Sequence, residues 1–261
     1  MIEDTNPALL LRLGDIAALH QSGSGPTLVW LSGYSSDMNG TKASWLAQQC
    51  AIWSYDYMRF DYRGTGQSAG VFHDMTLSDW LDDTLAVIDQ LTDRPLILIG
   101  SSMGGWLGLK AATLRPNRVK ALALIAPAPD FTDQIWHTLN ETERADYAAT
   151  GSLPDDGRFV AMTYKLMKDG NDNHLLLKKP IAFDGPVEII HGLRDALVPN
   201  ETPYTIVDLL ASEDVTLHLV KDGAHDLSRP QDLDILWQMI TRLREKISVE
   251  SSVPTGEVGA S

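Results

Sequence analysis

Cysteine is almost absent from the sequence, and this scarcity excludes two kinds of structure. The 261 residues contain one cysteine, Cys50, so the chain has neither an internal disulfide nor a cysteine-rich zinc site. Basic residues are also few, because 21 Lys and Arg stand against 35 Asp and Glu, a formal net charge of −14. Nucleic-acid binders carry a basic footprint, and anionic membranes repel negative charge, so we expect neither partner.

Long hydrophobic runs are missing from the sequence as well, and we expect no targeting segment at its start. No apolar run approaches the roughly 20 residues that span a bilayer. The N-terminal residues Met1–Thr5 include two acids where a secretory signal has Lys or Arg, and a mitochondrial presequence is rich in Arg and poor in acids. We therefore expect a cytoplasmic protein. The C-terminal residues 248–261 contain no aromatic side chain, and we expect an unpacked, disordered tail there.

Short apolar runs alternate with helical patterns along most of the chain. Leu9–Leu13 and Ile16–His20 predict a hairpin, and Thr41 is a candidate cap for a helix to about Gln49. The apolar runs that predict buried strands are 27–31, 57–61, 95–99, 119–125, 187–190 and 216–220. The helical patterns cover 76–91, 103–114, 202–211 and 231–247. This alternation is typical of an α/β fold with a mostly parallel sheet covered by helices on both faces.

One segment, 129–180, breaks the alternation and contains no run with strand character. We expect it to be a small helical cap inserted into a core formed by residues 1–128 and 181–247. The apolar side chains of the cap either line a groove for an acyl chain or pack as the cap's own core. These side chains are Phe131, Trp136, Tyr147, Phe159, Met162, Tyr164 and Met167.

The segment Gly100-Ser101-Ser102-Met103-Gly104 fits the pattern G-x-S-x-G. The pattern alone is weak, because a Ser/Gly turn can simply cap a helix. Here it follows an apolar run and precedes a helical pattern, which is the context of a nucleophile on a sharp turn. Such a turn requires almost no side chain two positions before and two positions after the nucleophile, and glycine meets that requirement. We predict Ser102 as the nucleophile.

A serine hydroxyl needs a base, and in this architecture the chain order is Ser, then Asp or Glu, then His. Asp195 and His225 lie in the loops after the last two predicted strands, at the edge where parallel strands present functional loops. We predict His225 as general base and then acid, and Asp195 as the carboxylate that orients the imidazole. Asp222 and Asp226 are competing acids, but they stand too near His225 in sequence.

Two backbone N–H groups are needed to hold the oxyanion. Met103, directly after the nucleophile, is the first candidate. The second is Tyr34, in the loop after the strand 27–31, where Gly33 allows a close backbone approach. The alternative for Tyr34 is that its ring only packs under the loop.

These residues resemble the α/β-hydrolase family over about Thr27 to Ile247. Three stretches are similar to a narrower group, the mitochondrial abhydrolase-domain palmitoyl-protein thioesterase, also described as an acyl-glucuronide esterase, and its bacterial relatives. They are GYSSDMNGTKA from Gly33, RFDYRGTGQS from Arg59 and GSSMGGWL from Gly100, of which the first is the most specific. The second is widespread in α/β-hydrolases, where it supports the active-site loops.

The resemblance implies an α/β-hydrolase fold and a serine hydrolase that needs no cofactor or metal. It also implies the triad Ser102, Asp195 and His225, and a small-molecule ester or thioester, or an acylated protein, as substrate. Two alternatives remain at this point. The first is a non-catalytic binding protein on the same fold, and the second is an amide or C–C bond hydrolase with the same triad.

Overall fold

The computed structural model describes residues 8–153 and 162–250, which form eight strands and eight helices. The strands are β1 (Leu9–Leu13), β2 (Ile16–Gln21), β3 (Ser24–Leu31), β4 (Tyr55–Asp61), β5 (Leu96–Ser101), β6 (Val119–Ile125), β7 (Val187–Gly192) and β8 (Val215–Val220). The helices are α1 (Thr41–Trp53), α2 (Leu77–Gln90), α3 (Met103–Leu114), α4 (Phe131–Thr138), α5 (Glu141–Thr150), α6 (Tyr164–Asn173), α7 (Thr202–Leu209) and α8 (Pro230–Glu250). A short 3₁₀ turn covers Phe72–Asp74.

The strands form one sheet in the order β1-β2-β4-β3-β5-β6-β7-β8. β1 pairs with β2, and β2 with β4, in antiparallel orientation, while all pairs from β4 to β8 are parallel. The predicted hairpin and the predicted mostly parallel sheet are therefore confirmed. Because the carboxyl ends of parallel strands meet at one edge, the loops after β3, β5, β7 and β8 come together there.

Alternate residues of the central strand β5 face two separate apolar layers. Leu96 and Leu98 belong to the layer that includes α2 and α3, whereas Ile97 and Ile99 belong to the layer that includes α1 and α8. All four side chains are fully buried. A strand covered on both faces must be apolar at every position, which explains the continuous apolar run in the sequence.

The starts of two helices are formed differently. Thr76 caps α2, because its hydroxyl accepts the N–H of Asp79 and the Asp79 carboxylate accepts the N–H of Thr76. Thr41, expected as a cap, is instead the first residue of α1, and Gly40 precedes the helix without a side-chain cap. The reason is a turn in which the Gly40 N–H donates to the carbonyl of Asp37. This turn leads the chain directly into the helix.

Three helices, α4 to α6, lie within the segment expected as a cap. α4 packs on α6, and α6 also packs on α2 of the core. The Asp130 carboxylate accepts the N–H groups of Leu176 at 2.7 Å and Leu177 at 2.8 Å, so one side chain ties the beginning of the segment to its end. Of the seven apolar residues named for the cap, Phe159 lies outside the described residues.

The last helix is longer than its sequence pattern predicts. α8 continues to Glu250, so the first residues of the segment expected as a tail, 248–261, are helical, and 251–261 lie outside the described residues. Among the residues that the structure describes, no helix combines the length and apolar character required to cross a membrane.

The central strand provides a test of the packing. Leu98→Ala should lower the free energy of unfolding by about 2–5 kcal/mol, because it opens a cavity in a fully buried layer. Leu114→Ala, at a position that is 47% exposed at the end of α3, should cost about 0.5 kcal/mol or less. Urea denaturation followed by circular dichroism measures both. Equal losses would contradict the assignment of Leu98 to the core.

Candidate active site

Ser102 lies on the sharp turn between β5 and α3. Its backbone has φ 54° and ψ −117°, a region that residues with a side chain rarely adopt. The Ser102 N–H donates to the carbonyl of Ile125 at 2.9 Å, and the Ser102 carbonyl accepts the N–H of Ala128 at 3.1 Å. These bonds to the end of β6 and the residues after it hold the strained turn in place.

The glycines around Ser102 are required by close backbone contacts. A Cβ on Gly104 would overlap the carbonyl oxygen of Leu31 at the end of β3, and a Cβ on Gly100 would overlap the carbonyl of Gly104. The turn therefore packs directly against backbone that cannot move aside. This contact is the physical reason for glycine at both positions of the motif.

The structure brings the three predicted side chains together in one hydrogen-bonded chain. His225 Nε2 lies 3.0 Å from Ser102 Oγ, and His225 Nδ1 lies 2.7 Å from Asp195 Oδ2. An ionised carboxylate only accepts hydrogen bonds, so Nδ1 carries the proton and Nε2 is the acceptor for the serine hydroxyl. The arrangement can remove a proton from Ser102 as its oxygen attacks a carbonyl.

The Asp195 carboxylate is enclosed and fully hydrogen-bonded. Its side chain is 0% exposed, and its second oxygen, Oδ1, accepts the N–H groups of Leu197 at 2.8 Å and Val198 at 2.9 Å. Burial raises the pKa of a carboxyl group, but here the hydrogen bonds from His225, Val198 and Leu197 outweigh burial and hold the pKa of Asp195 below its ordinary value. Asp195 is therefore ionised and fixed in orientation.

The competing polar side chains near these loops are engaged elsewhere. Asp222 pairs with Arg229 at 2.8 Å, and His218 bonds to Glu188 at 2.8 Å within the sheet. His191 is fully buried in β7. Across residues 8–153 and 162–250, no group of three or more His, Cys, Asp or Glu side chains is arranged to hold a metal ion.

Both oxyanion candidates adjoin the nucleophile. Met103 is the first residue of α3, where N–H groups have no acceptor within the helix and the helix dipole favours negative charge. The backbone of Gly33 passes so near that a Cβ there would lie 3.4 Å from Ser102 Cβ. Tyr34 follows directly, so the loop after β3 runs along the nucleophile.

The Tyr34 ring packs in an aromatic cluster at the base of this loop. Its centroid lies 5.1 Å from that of Phe72, 5.9 Å from Trp80 and 6.1 Å from Phe131 of α4. Burial raises the pKa of Tyr34 to about 12, so its hydroxyl stays neutral. The packing predicted as the alternative for Tyr34 is thus present for its side chain, whereas its backbone N–H is a separate group on the loop beside Ser102.

The apolar residues of the cap divide into two sets. Tyr147, Met162 and Met167 are almost fully buried, and Tyr147 and Tyr164 pack edge to face at 5.3 Å. These residues belong to the apolar layer that also contains residues of α2 and α3, so they pack the segment onto the core. Phe131 instead contacts Tyr34 and lies 5.4 Å from Trp106 of α3, so it belongs to the side of the cap that faces the nucleophile turn.

Sequence reasoning gave Asp61 no role of its own. Its carboxylate is buried and accepts the N–H groups of Met38 at 2.7 Å and Gln67 at 2.6 Å. Asp61 thereby joins the loop after β3 to the loop after β4, and burial raises its pKa. The only signal was its place in the RFDYRGTGQS stretch, which says nothing about the partners of the side chain.

A matched pair of glycines on α3 tests the close contact of the nucleophile turn. Gly104→Ala should abolish covalent labelling of Ser102 by a fluorophosphonate, because the new Cβ must displace the Leu31 backbone. Gly108→Ala should preserve labelling, since its Cβ would lie 3.4 Å from the flexible end of the Leu31 side chain. Equal labelling of both variants would argue against the contact.

The lowered pKa of Asp195 predicts how stability depends on pH. A carboxyl group with a depressed pKa in the folded state stabilises the fold above its unfolded value, 3.8, and this stabilisation disappears as the pH falls through the folded value. The unfolding free energies of wild type and Asp195→Asn should be measured from about pH 6 to about pH 2.5, a range that includes the ordinary pKa of an aspartate. The two free energies should differ most near pH 6 and converge as the pH falls. Parallel curves would refute the shift.

Comparison with known proteins finds relatives that span most of the chain. The chain is 34% identical over 241 residues to the mitochondrial palmitoyl-protein thioesterase ABHD10 of Bos taurus, covering 90% of this chain and 78% of the relative. The human protein of that name is 35% identical over the same coverage. The solved structure of mouse alpha/beta hydrolase domain-containing protein 10 superposes with a TM-score of 0.85 at 32% identity, covering 92% of this chain and 99% of that one.

These relatives correct one expectation. The predicted cytoplasmic location is wrong by this comparison, because the mammalian relatives are named as mitochondrial proteins. The expectation rested on the acidic residues at the start of the sequence. A targeting segment is read by import receptors and is no part of the fold, so those residues carried no structural information about location.

The family assignment rests on sequence and structure together. The family described as alpha/beta hydrolase fold matches residues 26–179, which include most of β3, the nucleophile turn and helices α4 to α6. The relatives named above are hydrolases of that fold and extend the match over most of the chain. The predicted fold class and the predicted class of hydrolase are therefore confirmed, and the chain belongs to the α/β-hydrolase family.

Proposed function

We propose that the protein hydrolyses carboxylic esters or thioesters through an acyl-enzyme on Ser102. The observation that carries the proposal is the hydrogen-bonded chain from Ser102 Oγ through His225 to the buried Asp195 carboxylate, at 3.0 and 2.7 Å. A serine hydroxyl placed on a strained turn and bonded to an oriented imidazole is an activated nucleophile. The names of the relatives, palmitoyl-protein thioesterases, support the same reaction class.

In the first half-reaction, Ser102 Oγ attacks the acyl carbon while His225 Nε2 takes the hydroxyl proton. Asp195 stabilises the resulting imidazolium and keeps Nδ1 bonded, so the ring cannot turn away. The negative charge that develops on the carbonyl oxygen is held by the N–H groups of Met103 and Tyr34. Collapse of this intermediate expels the alcohol or thiol, which takes the proton from His225, and leaves an ester on Ser102.

In the second half-reaction, His225 removes a proton from water, which attacks the Ser102 ester through the same oxyanion site. The carboxylic acid leaves and Ser102 regains its proton. Oxygen esters and thioesters of one acid share this acyl-enzyme, and they differ only in the leaving group. A thiol is the more acidic leaving group, with a pKa near 8.5 in ordinary surroundings, so its departure depends less on protonation by His225.

A hydrophobic acyl group suits the surroundings of the nucleophile. Tyr34, in the loop that passes Ser102, packs with Phe72 and Phe131 as an aromatic wall, and each of these residues is only partly buried. Apolar walls with a few placed polar groups are typical of ligand sites. We propose that the acyl chain lies against this wall and that the substrate is a small-molecule acyl ester or thioester, or an acylated protein.

Ser102→Ala tests the proposal. Wild type should react with a fluorophosphonate and hydrolyse p-nitrophenyl esters, and Ser102→Ala should lose both, because no other group in the chain of hydrogen bonds forms the acyl-enzyme. Mass spectrometry of the labelled protein locates the adduct. A wild-type protein that neither labels nor hydrolyses any ester or thioester would rule out the proposed function and favour a binding protein on this fold.

Matched substrates identify the intermediate and the acyl preference. Oxygen and sulfur esters of the same acid, from acetyl to palmitoyl, should approach a common kcat for each acid where deacylation limits the rate. Rates should rise with chain length if the aromatic wall binds the acyl group. Faster turnover of amides than of esters would contradict the proposed substrate class.

A further inference from the structure

The ammonium group of Lys42 lies against the loop that carries His225. Lys42 is in the first turn of α1 and belongs to the GYSSDMNGTKA stretch, and the proposed mechanism does not use it. Its Nζ donates to the carbonyl oxygen of Asp226 at 2.5 Å and to Ser228 Oγ at 3.3 Å. Asp226 directly follows His225, so this contact joins the start of α1 to the catalytic loop across 184 residues of sequence.

The Lys42 side chain is partly buried, and its hydrogen bonds go to neutral acceptors. Burial lowers the pKa of Lys42, and the negative charges of Asp226 and Asp232 oppose that shift. A hydrogen bond from an ammonium to a carbonyl oxygen is charge-assisted and stronger than one between neutral groups. The contact therefore holds the Asp226 carbonyl in one direction.

The rest of the His225 loop is anchored on either side of this contact. On one side the Gly223 carbonyl accepts the N–H of Arg194 at 2.8 Å. On the other side Arg229 pairs with Asp222 and Asp232, both at 2.8 Å. Between these anchors Leu227 adopts φ 43°, which is unfavourable for a residue with a side chain. The segment that positions the imidazole thus includes a strained residue next to the carbonyl that Lys42 holds.

The start of α1 is itself firmly connected to the loop after β3. The Met38 N–H donates to Asp61 and its carbonyl accepts from Arg59 at 2.8 Å, while Ser44 Oγ donates to the Asn39 carbonyl at 2.9 Å. Lys42 therefore extends from the same rigid segment that follows Gly33 and Tyr34. It links the loop beside the nucleophile to the loop of the base.

We propose that Lys42 is a positioning residue for catalysis, whose ammonium fixes the Asp226 carbonyl and thereby the place of His225 relative to Ser102. The inference rests on the proposed function, because it assigns His225 the role of base. Lys42 touches neither the substrate nor the reacting atoms. Its contribution is the geometry of the Ser102–His225 hydrogen bond, to which catalytic rates are sensitive on the scale of an ångström.

Lys42→Met tests this role, because methionine keeps the apolar stem and removes the ammonium. We expect kcat to fall about 10²-fold, as for other displacements of about 1 Å, with KM nearly unchanged. Fluorophosphonate labelling of Ser102 should slow to the same degree, since it requires His225 but no acyl pocket. Lys42→Arg, which can donate to the same carbonyl, should recover most of both rates.

Lys246→Met is the matched control. Its ammonium bonds to Asp214 at 2.6 Å, directly before β8 and therefore at the end of that strand remote from His225. This variant should keep the wild-type kcat and labelling rate. Thermal unfolding of all variants separates a catalytic effect from a loss of folded protein.

Chemical rescue provides the sharpest readout. Lys42→Cys treated with 2-bromoethylamine regains an ammonium of nearly the original length, and activity should return with it. Cys50 should remain unmodified, because it is fully buried and burial raises its pKa to about 12. Wild-type kcat in Lys42→Met, or a loss that follows the fraction unfolded and is not rescued, would overturn the proposal. Failure of wild type itself to label or hydrolyse would instead reject the proposed function.

Discussion

The close contact between the nucleophile turn and the end of β3 is the constraint on which the rest of the site depends. Gly104 lies so near the Leu31 carbonyl that no side chain fits between them, and Ser102 takes a strained backbone conformation as a result. The same contact brings Gly33 against Ser102. One packing interaction therefore places the nucleophile and the adjacent loop together, without any bond between their side chains.

The parallel sheet then brings the acid and the base of the site to the same edge as the nucleophile. Ser102, Asp195 and His225 follow β5, β7 and β8, whose carboxyl ends lie at one edge, and β6, between β5 and β7, holds the Ser102 backbone through Ile125. The polar chain that they form ends in a carboxylate with both oxygens hydrogen-bonded. A buried charge is tolerated only when it is satisfied in this way, so the charge that orients His225 is also compatible with the fold.

The cap is fastened to the core by polar contacts at its base. Ser78 of α2 bonds to both Asp169 and His174 of the segment, each at 2.7 Å, while Asp130 ties the two ends of the segment together through the backbone of Leu176 and Leu177. These contacts fix where the cap sits, and the aromatic residues then separate by position. The buried ones pack the segment onto the core, whereas Phe131 packs against Tyr34 in the loop beside the nucleophile turn.

Much of the fold could be predicted from the sequence, because its causes are local. The apolar runs of β5 to β8, the glycines around Ser102 and the order of Ser102, Asp195 and His225 all leave a mark in neighbouring residues. The predicted triad residues do lie within hydrogen-bond distance of one another. The cap of α1 was misplaced, since a turn through Asp37 competes with a side-chain cap.

By itself, then, the sequence determined the mostly parallel sheet, the sharp turn at Ser102 and the candidates for acid and base. The tertiary structure alone decided that Phe131 packs against Tyr34, that Asp61 joins two loops, and that Lys42 reaches Asp226. The physical reason is the distance along the chain over which each effect acts. Periodicity and backbone sterics act between near neighbours, whereas the partner of a long or charged side chain depends on how distant segments pack.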